Sequence, residues 1–451
     1  LLDAINLPIT EKAIEKHIEQ LRMVINYHDK KYYVDATQQI SDFDYDQLFK
    51  WLKNLEEQYP QYITPDSPTQ RIAKGLNQDF PTVAHLVPML SLENAYNIED
   101  LKDFDKRVKD AITESATISY CCEPKFDGSS IALVYENDIL VRAATRGNGI
   151  EGDDITNNAK TIRSIPLKAN FSQYGISKIE LRGEVIIELE IFKQINEERK
   201  KQNELLKSEN KKELELFKNA RNTAAGSLRL KDSAEVAARK LDAIMYQVGY
   251  ATDTQGNNIT NSDVFASHFK NLEMLHQLGF KTPNQEKKIS NTIEDVMQQC
   301  LHWQDERDNY PIDIDGMVIK VDDTKLQQSI GRTSHHPKWA IAFKFKPKQA
   351  FSTLLNVDFQ IGRTGQITPV AKIKPVQLMG VEISSISLHN EDFITEKDIK
   401  INDTVIVERA GDVIPYIVGS IKENRNGNEI DIEFPKNCPS CNHRLVKQED
   451  E

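Results

Sequence analysis

A chain of 451 residues exceeds the roughly 100–200 residues of a single domain, so several cores are expected. Hydrophobic residues make up 39% and charged residues 28%, with no long apolar run, which excludes a membrane span and wholesale disorder. The formal net charge of −12 excludes broad attraction to polyanions, because phosphate binding draws on clustered Lys and Arg.

In chain order, residues 10–32 carry Ile14, Ile18, Leu21 and Ile25 at helical spacing, with Thr10 placed to cap the start. A second helix begins near Ser41, with Tyr45, Leu48, Leu52 and Leu55 on one stripe, until Pro60, Pro65 and Pro68 stop it. Residues 1–75 therefore read as a small helical domain. Beyond them the period changes to two. Residues 131–135 and 139–143 are short apolar runs joined by Glu136-Asn137-Asp138, a hairpin signal, and 179–187 and 317–321 are strands of the same kind. The charged stretch 197–212 reads as a solvated helix face. This α+β domain, residues 76–347, gives way to short strands at 361–370, 381–388 and 404–409 with glycine punctuation, a small barrel over 348–430. Residues 431–451 contain Cys438-Pro439-Ser440-Cys441. Five cysteines, two of them adjacent at Cys121 and Cys122, make no disulfide framework and point to a reducing cytoplasm. With Leu1 first and no basic-then-apolar leader, the numbering is expected to start inside a longer product.

The segment richest in chemistry is Glu123-Pro124-Lys125-Phe126-Asp127-Gly128, at the entry to the first hairpin. A strand-end lysine flanked by acids can be held rigidly and partly desolvated, and its amine becomes a nucleophile once its proton is removed; a lysine in a salt-bridged surface turn is the alternative. Three further segments follow: Arg182-Gly183-Glu184-Val185, Asp315-Gly316-Met317-Val318-Ile319-Lys320 and Ala342-Phe343-Lys344-Phe345. Period-two alternation sets Glu184 on one face with Arg182 and Ile186, where its carboxylate can accept from ribose hydroxyls or pair across strands. Lys320 shares a face with Val318, and Lys344 lies among aromatics. Two lysines aimed at one α-phosphate would offset the charge of an in-line displacement. Asp42, Tyr45 and Asp46, at i, i+3 and i+4, share a helix face just after Tyr32 and Tyr33. Such a set can cage a cationic ring or merely complement the helix dipole. Cys438 and Cys441 have the spacing of half a tetrahedral zinc site, with His443 close by. His335 and His336 read as loop residues.

Taken in order, the four segments resemble the covalent nucleotidyltransferases, the polynucleotide ligases and mRNA capping enzymes, whose KxDG motif holds the modified lysine. Lys125 matches that lysine. More narrowly, Pro88-Met89-Leu90-Ser91-Leu92, Thr145-Arg146-Gly147-Asn148-Gly149, Gly152-Asp153-Asp154-Ile155-Thr156 and Ala220-Arg221-Asn222-Thr223-Ala224-Ala225-Gly226-Ser227-Leu228-Arg229 resemble the bacterial NAD⁺-dependent DNA ligases, and the resemblance runs over essentially the whole chain. It implies an α+β multidomain fold: a helical NMN-binding domain, a nucleotidyltransferase domain with antiparallel sheets, and an OB-fold barrel. It implies catalytic roles for Lys125, Asp127, Asp315, Lys320, Arg221 and Arg229, the two arginines lying near the phosphates of adenylate and nick. Ser91, Leu92, Glu123, Arg146, Glu184, Lys320 and Lys344 become nucleotide contacts, while Tyr32, Tyr33, Asp42, Phe43, Asp44, Tyr45 and Asp46 surround the nicotinamide half of NAD⁺. The implied cofactors are NAD⁺ as AMP donor, Mg²⁺ or Mn²⁺, and Zn²⁺ in a four-cysteine finger opened by Cys438 and Cys441 and followed by further domains. The implied partner is nicked double-stranded DNA, bound by a monomer in the cytoplasm at the nucleoid, with no membrane. Gly362-Arg363-Thr364-Gly365 in the barrel is expected to touch the duplex. Tyr33 stands where many members have His, and Asn219-Ala220-Arg221 replaces Asn-Pro-Arg, which bears on NMN affinity and loop rigidity. Two alternatives stay open: a triphosphate-using RNA ligase or capping-type transferase, which has no need of the Tyr/Asp helices, and a non-enzymatic nucleic-acid-binding scaffold, which gives Lys125, Glu184 and Lys320 no reason to coexist.

Overall fold

The apolar stripe of α1 (Glu11–Asp29) packs Ile14, Ile18, Leu21 and Ile25 against Leu52 of α2 (Asp42–Gln58), the burial that its periodicity requires. The computed structural model describes residues 11–72, 79–112, 117–346, 349–362, 365–378, 381–410 and 414–446; Thr10, the expected cap of α1, lies outside them. After Asp29 the helix widens into a π turn, Lys30–Val34, that carries Tyr32 and Tyr33. Ser41 caps α2, its hydroxyl oxygen accepting from the Asp44 amide at 3.1 Å and donating to the Asp44 carboxylate at 2.7 Å. Between the helices Arg22 and Glu56 form a buried pair at 2.6 Å. The buried Arg71 donates to the carbonyls of Lys160, Ile162 and Ile165 at 3.1, 3.2 and 3.0 Å, tying the helical segment to the domain that follows.

That domain and the helices form one compact unit, Leu1–Phe345; a second is Lys346–Glu451. The strands of the first are β1 (Thr82–Ala84), β2 (Glu93–Ala95), β3 (Tyr120–Phe126), β4 (Ser129–Glu136), β5 (Ile139–Thr145), β6 (Glu151–Asp153), β7 (Lys178–Ile186), β8 (Asp242–Thr252), β9 (Lys288–Ser290), β10 (Ile314–Val321) and β11 (Ala340–Lys344). They build two main sheets, ordered β2-β11-β10-β3-β9 and β5-β4-β7-β8, while β1 pairs with β6. The pairings are antiparallel apart from β2 with β11. The β4–β5 hairpin turns on Asn137 and Asp138, both left-handed at φ 48° and 71°, the backbone that a tight hairpin needs. The charged stretch belongs, as far as Ser208, to the helix Leu189–Ser208, whose one buried residue is Ile195; residues 209–212 follow its end and are not helical.

β3 and β4 lie in different sheets, so the Lys125-to-Gly128 segment is where the chain crosses from one to the other. The crossing is tight. A Cβ on Gly128 would stand 2.2 Å from the Val185 carbonyl oxygen, and one on Gly316 would stand 2.1 Å from that of Phe343. Both motif glycines are therefore demanded by close backbone approach.

The second unit is a five-stranded antiparallel sheet ordered β14-β13-β12-β15-β16, from β12 (Ala350–Ile361), β13 (Ile367–Leu378), β14 (Val381–Ser387), β15 (Thr404–Ala410) and β16 (Ile414–Ser420). Leu354, Ala371, Ile373, Val405 and Val407 form its core. The strand expected over 361–370 is corrected here: Ile361 ends β12 and Ile367 opens β13. Between them the Gly362 amide donates to the Gln366 carbonyl at 2.8 Å and the Gly365 amide to the Gly362 carbonyl at 2.9 Å, so glycines that read as punctuation within a strand are a turn between two. Arg363 and Thr364 lie outside the described residues. No helix among the described residues is long and apolar enough to cross a membrane.

Candidate active site

The register of three strands sets the site. Lys125 on β3 lies opposite Gly316 on β10, which lies opposite Lys344 on β11; one step along, Glu123, Val318 and Ala342 line up in the same way. Strand alternation puts Glu123, Lys125, Lys320 and Lys344 on one face. Gly316 sets no side chain between the two outer lysines. Next to it the pairing skips a residue, from Ile314 opposite Phe126 to Gly316 opposite Lys125. Asp315 is the extra residue of this β-bulge, a device that re-aims a side chain. Its carboxylate stands 3.1 Å from the Lys125 amine and also contacts the Lys344 amine. Burial, reinforced by the charge of Lys125, pushes the Lys344 ammonium below its ordinary pKa.

One turn of the pleat deeper, Glu123, Lys320 and His268 are 1%, 3% and 4% exposed. The Lys320 amine donates to one Glu123 oxygen and, at 3.0 Å, to the Tyr246 carbonyl. His268 Nε2 is 3.1 Å from the other Glu123 oxygen and 3.3 Å from the Lys320 amine. Burial acts to raise the Glu123 carboxyl, but Lys320 and His268 outweigh it and hold the group below the usual carboxylate range. Burial and the neighbouring Lys320 push His268 down, so it is neutral and its Nε2–H donates to Glu123. Cys121, Glu123 and His268 bring possible metal-ligand atoms within 4.8 Å of one another. The cluster is an ion-pair network instead, because the Lys320 ammonium already neutralises Glu123 and burial pushes the Cys121 thiol well up.

Between the sheets opens a cleft of about 350 Å³ whose walls bring together Ser91, Leu92, Glu123, Lys125, Asp127, Arg146, Glu184, Arg221, Lys320 and Lys344. Glu184, opposite Ser130 across β7 and β4, accepts from the Ser130 hydroxyl at 2.9 Å. Withdrawal from solvent pushes its carboxyl up to about 7, against the opposing pull of Ser130 and Lys125. Arg221 pairs with Asp127 at 2.7 Å and Arg146 donates to the Ser91 hydroxyl at 2.6 Å. Arg229 is outside this wall, paired with Asp153 at 2.9 Å.

The cleft wall includes none of Tyr32, Tyr33, Asp42, Phe43, Asp44, Tyr45 and Asp46. Tyr32 and Tyr33 meet edge to face with centroids 4.8 Å apart. Phe43 is 70% exposed, Asp42 accepts from the Gln38 amide group at 3.0 Å, Asp44 is engaged by Ser41, and Asp46 is exposed. Tyr45 is turned inward: its hydroxyl donates to Asp29 at 2.7 Å and accepts from Arg163 at 3.3 Å. In the second unit, the Cys438 thiol is lowered by the amides of Cys441 and Ser440. Among the described residues no third ligand side chain joins the two cysteines, so they alone do not fit a four-donor zinc site. His336 sits 3.9 Å from Glu93, in the loop expected for it and His335.

Sequence reasoning passed over His268, Tyr246 and Ser130. Ser130 alone had a signal, standing two residues beyond Gly128 on the strand that leaves the motif.

A sheet-borne lysine amine in a cleft of ligand-binding size, with a second lysine and carboxylates around it, is the arrangement expected of the covalent nucleotidyltransferases. The chain belongs to the NAD-dependent DNA ligase family. The family's adenylation-domain model matches residues 77–348, its OB-fold domain residues 351–429, and a DNA ligase-like N-terminal NAD⁺-binding domain residues 11–73. A DNA ligase of Sulfurihydrogenibium azorense is 56% identical over 97% of this chain and 61% of its own length. One of Aquifex aeolicus is 53% identical over 97% and 58%, and one of Anoxybacillus flavithermus 42% identical over 98% and 62%. The chain thus spans about three-fifths of the length of these relatives.

Proposed function

We propose that this chain takes AMP from NAD⁺ onto Lys125, passes it to the 5′-phosphate of a nick in double-stranded DNA, and seals the nick when the 3′-hydroxyl displaces AMP. The observation that carries this reading is the Lys125 amine on the face of the cleft, 3.1 Å from Asp315 and beside Lys344. In the first step the Lys125 nitrogen bonds to the α-phosphorus and the bond to the NMN phosphate breaks. The proton leaving the ammonium has the Asp315 carboxylate as its nearest acceptor. Lys344 meets the charge that gathers on the α-phosphate oxygens, a contact that strengthens in the transition state. Ionised Glu184 accepts from the ribose hydroxyls, while Glu123 and Lys320, locked by His268, form a rigid polar floor for the base. Arg221 exchanges Asp127 for a phosphate.

Asp127, Glu184 and Asp315 do not gather as a metal-ligand group, so a Mg²⁺ or Mn²⁺ ion would be held by a single carboxylate of the cleft together with phosphate oxygens, and would supply charge neutralisation. Cys438 and Cys441 would give two of the four thiolates of a Zn²⁺ finger, and no step of the reaction depends on them. The NMN half of NAD⁺ goes to Tyr32, Tyr33, Asp42, Tyr45 and Asp46 of the helical segment, a reading supported by the match of residues 11–73 to an NAD⁺-binding domain. The enzyme works as a monomer in the cytoplasm, at the nucleoid, in replication and repair.

Intact mass after exposure to NAD⁺ or to ATP tests the reading. The chain should gain one AMP from NAD⁺ and none from ATP, and Lys125→Ala should gain none from either. Labelling by ATP, or AMP mapped to another lysine, would refute it.

A further inference from the structure

Beside the cleft lies a second hollow, of about 360 Å³, framed by residues 88–91, 146–150 and 332–335. It shares Met89, Leu90, Ser91 and Arg146 with the cleft, so these residues are a common wall of the two. No carboxylate lines it. Two guanidiniums do: Arg146 and Arg332, both exposed and neither in an ion pair among the described residues. Arg146 is held by its hydrogen bond to Ser91, whereas Arg332 makes no side-chain bond among the described residues.

The frame is stiff. The Met89 amide donates to the Gly149 carbonyl at 2.7 Å, the Ser91 amide to that of His335 at 3.2 Å, and the Thr333 amide to that of His336 at 2.8 Å. The Thr333 hydroxyl oxygen also accepts from the amides of His335 and His336 at 3.2 and 3.0 Å. Gly149, at φ 89°, allows the closest approach, since a Cβ there would stand 2.8 Å from the Met89 carbonyl oxygen. Three loops are thereby locked around two like charges, in a chain whose net charge is −12. With no carboxylate partner among the described residues, both guanidiniums are open to an incoming anion. Planar, permanently charged guanidiniums select phosphate oxygens.

We propose that this hollow binds a backbone phosphate of the DNA strand that enters the cleft, with Arg332 as its principal cation. The proposal rests on the nick-sealing reading above. On that reading the dinucleotide's phosphates would face Lys125 and Lys344, which leaves the exposed basic hollow beside the cleft for the strand. It also supplies local positive charge that an acidic chain needs in order to hold a polyanion.

Binding of nicked duplex, with no NAD⁺ present, is measured across a salt series for the 451-residue chain and for Arg332→Ala and Arg332→Lys, with AMP uptake from NAD⁺ as a parallel assay. Arg332→Ala should weaken nick binding about tenfold and lower the slope of log affinity against log salt by about 0.9. Arg332→Lys, which keeps the charge, should keep the slope, and AMP uptake should be the same in all three. Unchanged affinity and slope in Arg332→Ala would overturn the proposal. So would loss of AMP uptake with nick binding intact, because the hollow would then serve the dinucleotide's diphosphate. An unsubstituted chain that takes up AMP but binds no nick would remove the strand site while sparing the adenylation step. One that binds the nick through Arg332 but takes up no AMP would sink the ligase reading and leave this site standing.

Discussion

Replacing Lys320 by methionine removes one charge from a network almost wholly withdrawn from water. Glu123 is 1% exposed and Lys320 3%. Deleting one partner of such a pair leaves the other charge buried and uncompensated, at a cost of about 3–5 kcal/mol. His268 makes the loss depend on pH. In the intact network Lys320 adds to burial in depressing the His268 pKa; without Lys320 the imidazole, 3.1 Å from Glu123, becomes the titratable group in hydrogen-bond contact with that carboxylate. A histidine whose folded pKa rises on gaining a carboxylate partner contributes stability below its unfolded value of ~6.5 and loses it as pH rises through the folded value. Glu123 behaves in the opposite sense. Its depressed folded pKa contributes stability above its unfolded value, lost as pH falls through the folded one, and Lys320→Met forfeits that contribution. The variant's deficit should therefore be full near pH ~8, where His268 is neutral, and smaller by about 1 kcal/mol or more near pH ~6. Urea unfolding followed by the fluorescence of Trp303 and Trp339, both packed on the core beneath this sheet, measures it. The double variant Glu123→Gln/Lys320→Met, which removes both charges, should regain most of the loss. A deficit under about 1 kcal/mol at both pH values, the range of exposed pairs, would refute the picture of a dry network.

Because the Glu184 carboxyl is pushed up to about 7, AMP uptake should rise with pH through that value as the carboxylate forms, and Glu184→Gln should lose this limb; an identical pH profile in the variant would exclude Glu184 as its source. The stability effect has the other sign: a carboxyl with a raised folded pKa costs stability as pH climbs from the unfolded to the folded value, so Glu184→Gln should gain on the parent chain above pH ~7. In the helical segment, Tyr45→Ala should lower AMP uptake from NAD⁺ by about tenfold or more, the worth of a desolvated cation–π contact, and spare sealing of a nick already carrying 5′-AMP. Tyr45→Phe, which keeps the ring and loses only the bonds to Asp29 and Arg163, should retain uptake; a variant as poor as Tyr45→Ala would assign the effect to the hydroxyl.

Features written along a single element were legible, because they need only periodicity or local turn chemistry. The α1 stripe, the Ser41 start of α2 and the hairpin at Asn137 and Asp138 belong to that group, and the motif segments announced the lysines. What joins elements was not legible. Asp315 could be named from its motif, but the bulge that turns its carboxylate onto Lys125 and Lys344 exists only once β10 pairs with β3. Glycine carries two opposite meanings in the same way: at Gly128 and Gly316 it permits contact between strands, whereas at Gly362 and Gly365 it ends one, and composition alone does not separate these, so 361–370 was misread. Tyr45 was read by its ring, yet its hydroxyl is bound by Asp29 and Arg163, the latter 118 residues away. His268 is the extreme case. It opens the helix His268–Gln277 behind Ser267, whose hydroxyl oxygen accepts from the Lys270 amide at 3.2 Å, so locally it is an ordinary helix start. Its partner Glu123 lies 145 residues earlier. A buried charge must find its counter-charge wherever the fold brings one, and that requirement leaves no mark on the spacing of either residue.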